Sequence, residues 1–262
     1  MEINRPVIKA NAKEQIRSTH PSPILMFLVV FLASAAWAFI SERLFDGGEL
    51  YSIRDALLKF AISMPVEIAL SILTIGFIKI AMHISRNEPI SWSDLLSGFS
   101  CVGKYIVLVL CMLAFFTVYF LAIALIAMLS ARSISEAFIM NPLAVAYLPI
   151  IIFLPFLLLM YFFRQVLFIM LDNPSFSAFD CIKASVSIMK GRKMELFMFD
   201  LSFIGWIILC VIPYVGWIAR LFVMPYIYTA QANYYNALLG LEDMKTDQDG
   251  DIPPRAPYGE ED

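Results

Sequence analysis

The chain has 262 residues, of which 60% are hydrophobic and only 16% are charged, and its mean hydropathy is +0.77. Soluble domains usually carry about 25% charged residues, so this composition excludes an ordinary soluble protein. The formal net charge of −3 gives no reason to expect a nucleic-acid partner. Runs of about 20 apolar residues can cross a bilayer as helices, and an all-α, polytopic membrane protein is therefore predicted.

Six apolar segments follow one another along the chain, and each is predicted to be a transmembrane helix. They are residues 23–41, 58–83, 104–130, 143–171, 194–212 and 214–238, with approximate bounds. Only the neighbourhood of Pro213 separates the last two, which form either a tight hairpin or one broken, partly re-entrant element. The hairpin is the preferred interpretation, and residues 1–241 form one integral membrane domain.

Basic residues are concentrated on one side of these six spans. They precede the first span and fill the second-to-third and fourth-to-fifth connections, whereas the opposite connections hold only Arg43, Arg54 and Arg132. Cytoplasmic connections carry the excess of Lys and Arg, so both termini are predicted to be cytoplasmic. The small residues between Ala33 and Ala38 also resemble a signal-peptide cleavage site, but the long basic region before them favours a retained segment.

The last 21 residues differ in charge from the rest of the chain. Residues 242–262 hold eight acidic and two basic side chains, a net charge of −6, which leaves +3 on residues 1–241. With three prolines as well, this segment is predicted to be a disordered cytoplasmic tail. A docking segment for a cytoplasmic partner is the alternative.

Three similar turns divide the membrane domain. They read Asn4-Arg-Pro6, Asn87-Glu-Pro89 and Asn173-Pro174, and the last two are followed by Ser91-x-x-Asp94 and Ser177-x-x-Asp180. Ser-x-x-Asp after a turn is typical of a helix start. We therefore expect three repeats, each an amphipathic helix followed by two spans, at about residues 4–86, 87–172 and 173–241.

The amphipathic helices are predicted from their spacing. Trp92, Leu95, Leu96 and Phe99 share one face of the second helix; in the third, Phe179, Ile182, Val186 and Met189 share one face, with Asp180, Lys183, Ser187 and Lys190 on another. Two spans return the chain to the same side, so all three helices are expected on the cytoplasmic face, in contact with anionic phospholipid. The bases assigned to this contact are Lys9, Lys13, Arg17, Lys104, Lys183, Lys190, Arg192 and Lys193. Connecting helices packed on the bundle are the alternative.

The stretch around the fifth span resembles a known family. It reads Ser185-x-x-x-Met189-Lys190-Gly191-x-Lys193-x-x-Leu196-Phe197-x-x-Asp200-Leu201-Ser202-Phe203-Ile204-Gly205-Trp206, after Leu171-Asp-Asn-Pro174 and before Gly216, Pro225-Tyr226 and Ala232-Asn-Tyr-Tyr235. These residues resemble the bacterial integral-membrane family called domain of unknown function 975, over about residues 160–240. The resemblance implies a multi-pass protein of the bacterial cell membrane, most often of Gram-positive type, and it implies no activity.

Four ionisable residues fall inside the predicted spans, where charges are costly and therefore candidates for function. Arg164 and Asp200 both lie about 10 Å from the cytoplasmic end, and Glu67 and Arg220 both lie in the outer third. The matching depths predict two ion pairs, Arg164 with Asp200 and Glu67 with Arg220. Such pairs either fix helices together or form part of a polar pathway, with Gln165, Gln231 and Asn233 as further lining residues.

No catalytic or metal-binding motif is evident. The chain lacks Gly-rich phosphate loops, Gly-x-Ser-x-Gly, His-Glu-x-x-His and Cys-x-x-Cys patterns, and its four cysteines have no metal-ligand spacing. We therefore expect no enzymatic activity, metal or cofactor. Two classes of function remain: a membrane scaffold or accessory protein with a cytoplasmic face that binds lipid or a partner, or a transporter or channel-like protein for a small amphiphile or ion. A homo-oligomer is compatible with both.

Overall fold

The computed structural model describes residues 4–45, 53–129 and 148–240, and every regular element in these ranges is helical. The α-helices are α1 (Arg5–Ser18), α2 (Pro23–Phe45), α3 (Ile53–Ser85), α4 (Trp92–Leu96), α5 (Val102–Leu129), α6 (Leu148–Met160), α7 (Val166–Asp172), α8 (Ala178–Ile188), α9 (Lys193–Leu201), α10 (Ile204–Val211) and α11 (Val215–Leu238). Two 3₁₀ helices, Ser97–Cys101 and Tyr161–Phe163, connect α4 to α5 and follow α6. Arg132, the start of the predicted fourth span and the acidic tail lie outside the described residues.

Four helical segments are long and apolar enough to cross a membrane, which agrees with a helical membrane protein. They are Pro23–Leu44, Ala56–Ser85, Trp92–Leu129 and Ile152–Asp172. Helices α9 and α10 would together form a fifth crossing, but the pair is bent by 48°. The six spans predicted above are therefore only partly recovered by length and composition.

Helix α11 is long enough for a sixth crossing but too polar to qualify on hydropathy. Its 24 residues extend about 36 Å at 1.5 Å per residue. Its second half is rich in Asn, Tyr, Gln and Thr, and many of these side chains are buried against other helices. A helix that faces protein instead of lipid need not be apolar, which explains why hydropathy alone misses it.

The described chain falls into two compact units. The first holds the described residues up to 102 and those from 199 onward, and the second holds the described residues between 103 and 198. The boundary at residue 198 passes through α9.

In the first unit, α11 packs against α1, α2, α3 and α10. The ring of Phe77 on α3 contacts Phe27 on α2 at 5.0 Å and Tyr228 on α11 at 5.8 Å between centroids. Eight residues after Phe77 and Tyr228, Asn236 Nδ2 on α11 donates to Ser85 Oγ on α3 at 2.8 Å. These two helices are therefore parallel and end at the same level.

Helix α2 runs in the opposite direction to α3. Trp37 follows Phe27 on α2, and its Nε1 donates to Glu67 Oε1 at 3.0 Å. Glu67 precedes Phe77 on α3, whose ring contacts Phe27. The start of α2 and the ends of α3 and α11 therefore lie at one end of the first unit.

In the second unit, α5 packs against α6 through aromatic rings. Phe156 contacts Phe116 at 5.3 Å and Phe120 at 5.6 Å between centroids. The hydroxyl of Tyr119 donates to the Ile152 carbonyl at 2.7 Å. Helix α7 packs against α8 through buried residues such as Ile169 and Met170.

Candidate membrane-interface site

Helices α1, α4 and α8 begin at the three turns identified in the sequence, and local hydrogen bonds hold each start. Asn4 caps α1 by accepting from the Val7 amide at 3.4 Å. Capping boxes begin α4, from Ser91 and Asp94, and α8, from Ser177 and Asp180. Each box satisfies backbone donors that the helix itself leaves without partners.

Helix α1 is held on the first unit mainly by polar contacts around two buried residues, Ile8 and Ala12. Asn233 Nδ2 on α11 donates to Gln15 Oε1 at 2.9 Å and to the Ile8 carbonyl at 3.4 Å. Gln15 Nε2 in turn donates to the Ser85 carbonyl at the end of α3, at 3.2 Å. A single side chain on α1 therefore connects the ends of α3 and α11.

Lys9 was predicted to contact lipid, but the structure gives its amine protein partners. Lys9 Nζ donates to the Ser202 carbonyl at 3.1 Å and lies 3.0 Å from Ser202 Oγ. It also lies 4.5 Å from the centroid of the Phe203 ring. The Ser202 carbonyl is available because the helix breaks between α9 and α10, and partial burial lowers the pKa of Lys9.

A buried amide cluster at the ends of α3 and α11 was not predicted as a whole. Ser85, Asn233 and Asn236 are all at least 95% buried. Besides the bond to Ser85, Asn236 accepts from Arg86 Nε at 3.2 Å through Oδ1. The available sequence signal was the spacing of Asn233 and Asn236, which places both amides on one face of α11.

A second polar cluster joins α3 to α4 and was also missed. Lys79 Nζ lies 3.6 Å from Asp94 Oδ1, and His83 Nδ1 lies 3.8 Å from Asp94 Oδ2. His83 Nε2 lies 3.7 Å from Glu88 Oε2 in the connecting turn. Lys79 and His83 are one turn apart on α3, so the sequence contained the pattern. Asp94 was interpreted only as a helix-start residue.

Helix α4 and the 3₁₀ helix that follows it approach α3 too closely for a side chain at two glycines, Gly76 on α3 and Gly98 on the 3₁₀ helix. A Cβ added to Gly76 would lie 1.9 Å from the Leu95 carbonyl oxygen, and one added to Gly98 would lie 2.3 Å from the Ile72 carbonyl oxygen. Leu95 is the only large apolar residue of α4 that this contact buries. The rest of the predicted apolar face, Trp92, Leu96 and Phe99, stays about half exposed.

Helix α8 packs through its small residues and exposes most of its large ones. Ala178, Cys181 and Ser185 are buried, and Ser185 Oγ donates to the Phe162 carbonyl at 2.6 Å. Of the predicted apolar face, only Met189 is buried; the exposed fractions of Phe179 and Val186 are 62% and 37%. The bilayer competes with protein for large apolar side chains, whereas small residues permit close helix packing.

The remaining predicted lipid contacts differ in their surroundings. Lys104 Nζ donates to the Pro174 carbonyl, and Lys193 Nζ lies 3.2 Å from the centroid of the Phe162 ring. Arg192 is partly buried before α9. Four bases are exposed: Lys13, Arg17, Lys183 and Lys190.

The predicted ion pairs inside the spans remain predictions. Glu67 lies on α3 18 residues before Ser85, and Arg220 lies on α11 18 residues before Leu238, so both are about 27 Å from the shared helix ends. The hydrogen-bond partner that the structure gives Glu67 is Trp37. Arg164 belongs to the second unit and Asp200 to the first, and the described residues provide no test of their pairing.

No group of three or more His, Cys, Asp or Glu side chains within the described ranges could hold a metal ion. Cys101, Cys111, Cys181 and Cys210 are free thiols.

One comparison with known proteins gives a match. The model of the family described as "Protein of unknown function (DUF975)" matches residues 1–242. Neither the curated proteins nor the solved structures give a match.

Proposed function

Because the chain belongs to the family of proteins of unknown function DUF975, which supplies no activity, we propose a function from the site geometry. The protein acts as a non-enzymatic scaffold or accessory protein of the bacterial cell membrane, with a cytoplasmic face that binds lipid or a partner. Helices α1 and α4 of the first unit and α8 of the second are here called the interfacial helices, and each is proposed to contribute to the cytoplasmic face of its own unit. The observation that carries the proposal is the exposed apolar edge of α4 and α8, beside the faces with which they pack on the protein.

A recurring contact supports three repeats. Helix α4 packs on α3, α8 packs on α7, and α1 packs on α11. Helices α4 and α8 each begin a predicted repeat and lie on the last helix of the preceding repeat. Helix α1 begins the first repeat and lies on α11, the last helix of the third. A shared packing rule of this kind is expected when a chain repeats one structural unit.

The parallel course of α3 and α11 supports six crossings with both termini cytoplasmic. Helix α1 contacts the last turns of α11, so the beginning and end of the described chain lie at one end of the first unit. An even number of crossings produces this arrangement, provided that α9–α10 and α11 each cross once. The basic residues of α1 support a cytoplasmic location for that end.

The test measures how deeply the two apolar edges lie in a bilayer. In one full-length variant, Trp92 is retained and the other three tryptophans are replaced by Phe. In a second variant, all four tryptophans are replaced by Phe and Phe179→Trp supplies a single new one. Both are reconstituted in neutral nanodiscs with lipids brominated either just below the headgroup or near the bilayer centre. We expect stronger quenching of both tryptophans by the shallow bromines, since interfacial helices lie in the headgroup layer.

Asn11→Trp, in the background without other tryptophans, is the matched control because Asn11 is exposed on a polar part of α1. Its quenching should stay weak. Quenching at residues 92 and 179 no stronger than at residue 11 would reject a membrane-facing role for α4 and α8.

A transporter or channel-like protein is the second candidate, favoured by two helix breaks. The chain is interrupted at Tyr161–Phe163 next to Arg164 and Gln165, and again between α9 and α10 next to Asp200. Transporters commonly bind substrate at discontinuous helices. Rapid labelling of a Gln165→Cys variant by a water-soluble thiol reagent would favour this candidate, and protection would favour the scaffold.

A further inference from the structure

The bases of α1 are poorly placed to bind a membrane. The Lys9 amine is held by Ser202 and Phe203, and its burial lowers its pKa. Lys13 and Arg17 are exposed, but Val7 is the only large apolar side chain that α1 exposes. Stable membrane association by a helix requires apolar residues that enter the acyl boundary as well as cations.

Helix α8 combines both requirements in one stripe. Phe179, Lys183 and Val186 are spaced by four and three residues, which places them along one helical face, and all three are exposed. Lys190, also exposed, lies in the turn that follows the end of the helix at Ile188 and extends the sequence of the stripe. Lysine stems can lie along apolar surface while their amines reach the headgroup phosphates.

The two lysines of this stripe are exposed and therefore accessible to an external partner. Asp180, the nearest acid in sequence to Lys183, is held by the capping box, where its carboxylate accepts from the Ser177 amide at 3.1 Å. Among the described residues, no acid forms an ion pair with Lys183 or Lys190. The stripe is therefore apolar and cationic along its whole length.

The corresponding edge of α4 is apolar but uncharged. Trp92, Leu96 and Phe99 are exposed, and the neighbouring exposed residues Ser93 and Ser100 are neutral. The three interfacial helices therefore differ: α1 is basic without an apolar edge, α4 is apolar without exposed bases, and α8 is both.

We propose that the exposed stripe Phe179–Lys183–Val186–Lys190 binds the phosphate headgroups of anionic phospholipids, and that it accounts for most of the protein's preference for such lipids. This inference rests on the proposed membrane-facing role of the interfacial helices and assigns lipid selection to one of them. The partner is the bilayer that the protein already crosses, because apolar side chains interleaved with lysines match its acyl boundary and its phosphates together.

The experiment uses full-length protein in nanodiscs of equal phosphatidylglycerol and phosphatidylcholine. Native mass spectrometry after release measures the ratio of anionic to neutral lipid that stays bound. Lys183→Gln/Lys190→Gln is compared with the matched control Lys13→Gln/Arg17→Gln, which removes the same charge from α1. A lysine near an anionic surface contributes about a fivefold preference, so we expect the α8 variant to lose at least that factor. The α1 variant should remain within about twofold of the unaltered protein.

Lys183→Arg/Lys190→Arg should retain the preference, since it keeps the charge on the same stripe. Equal losses in the α8 and α1 variants would overturn the inference, and so would an unaltered protein without anionic preference. Tryptophan quenching in neutral nanodiscs does not depend on these charges. Strong shallow quenching with no lipid preference would therefore reject the α8 assignment while keeping the proposed function.

Discussion

At the scale of single residues, Ser177 and Asp180 determine how α8 begins. The Ser177 amide donates to the Asp180 carboxylate at 3.1 Å, and the Asp180 amide lies 3.3 Å from Ser177 Oγ. Both side chains are exposed, whereas Ala178 and Cys181 in the same turn are buried. The first turn of α8 is therefore held by these hydrogen bonds together with the packing of its small residues.

Ser177→Ala should destabilise this helix start by about 1 kcal/mol, because alanine cannot accept from the Asp180 amide. Hydrogen exchange of the amides of residues 178–182 in the full-length protein measures the loss of protection locally. Ser187→Ala, at an exposed position inside the same helix, should change protection only slightly. Equal effects of both substitutions would contradict the role of the cap.

Acidification should loosen the same turn. The hydrogen bonds from Ser177 hold the pKa of Asp180 below its ordinary value, with a smaller contribution from Lys183. A carboxyl whose pKa is lower in the folded state stabilises that state above its unfolded pKa of about 4, and this contribution is lost as the pH falls through the folded value. Protection of residues 178–182, corrected for intrinsic exchange, should therefore fall below about pH 4. Asp180→Asn should lack this pH-dependent step.

Single lysines also show where sequence reasoning reaches its limit. Lys9 and Lys183 both lie on amphipathic helices and were both predicted to contact lipid. One donates to a carbonyl at a helix break 193 residues further along the chain, and the other is exposed. Local spacing contains no information about such a distant partner, so it could not distinguish the two.

At the scale of elements, the position of α4 depends on Gly76, which lets it approach α3. Gly76→Ala should displace α4 and destabilise the protein by about 1–3 kcal/mol, since the added Cβ would meet the Leu95 backbone, which cannot rotate away as a side chain could. Unfolding in a denaturing detergent series and hydrogen exchange of residues 92–96 measure both effects.

Gly103→Ala is the matched control, because a Cβ there meets no atom within 4 Å. It should leave stability unchanged or raise it slightly, since alanine favours helix more than glycine does. A Gly76→Ala protein as stable as the Gly103→Ala protein would show that α4 adapts at no cost.

Helix starts were predictable because Asn-Pro turns and Ser-x-x-Asp boxes act within four residues. The faces through which these helices pack on the protein could not be predicted in the same way. For α8, the sequence offered a large apolar face at Phe179 and a small-residue face at Cys181, and the choice depends on whether lipid or protein covers each one. For α4, the burial of Leu95 depends on Gly76 of another helix. Contacts between residues that are distant in sequence therefore determine which face of each helix is buried, and local periodicity does not specify those contacts.

At the scale of the whole molecule, the parallel course of α3 and α11 leads to a topology prediction. In a variant without native cysteines, Asn11→Cys on α1 and Lys245→Cys in the acidic tail should both be labelled only when the cytoplasmic face is accessible. Arg43→Cys, at the far end of α2, should be labelled only from outside. Labelling of residues 11 and 245 from opposite sides would indicate an odd number of crossings.

Hydropathy predicted the membrane domain because lipid-facing helices must be apolar. It was less informative for α11, where Tyr234 and Tyr235 are buried inside the first unit and polar side chains face protein. The break between α9 and α10 lies inside the predicted fifth span and was not predicted, because the sequence interpretation placed a possible break only at Pro213. Lys9, which donates to the Ser202 carbonyl at this break, is 193 residues away in sequence.

The contact of α1 with α11 also determines the order in which the protein can be assembled. Gln15 and Asn233, which bond to each other, are 218 residues apart. At about 5–20 residues per second, a ribosome needs roughly 10 to 45 s after Gln15 before it adds Asn233. Helix α1 is thus synthesised long before the helix that holds Asn233. Docking of α1 on α11 can therefore occur only after α11 has been made, and a chain truncated before α11 would leave α1 with only its contacts to earlier segments, such as those to α3 and Ser202.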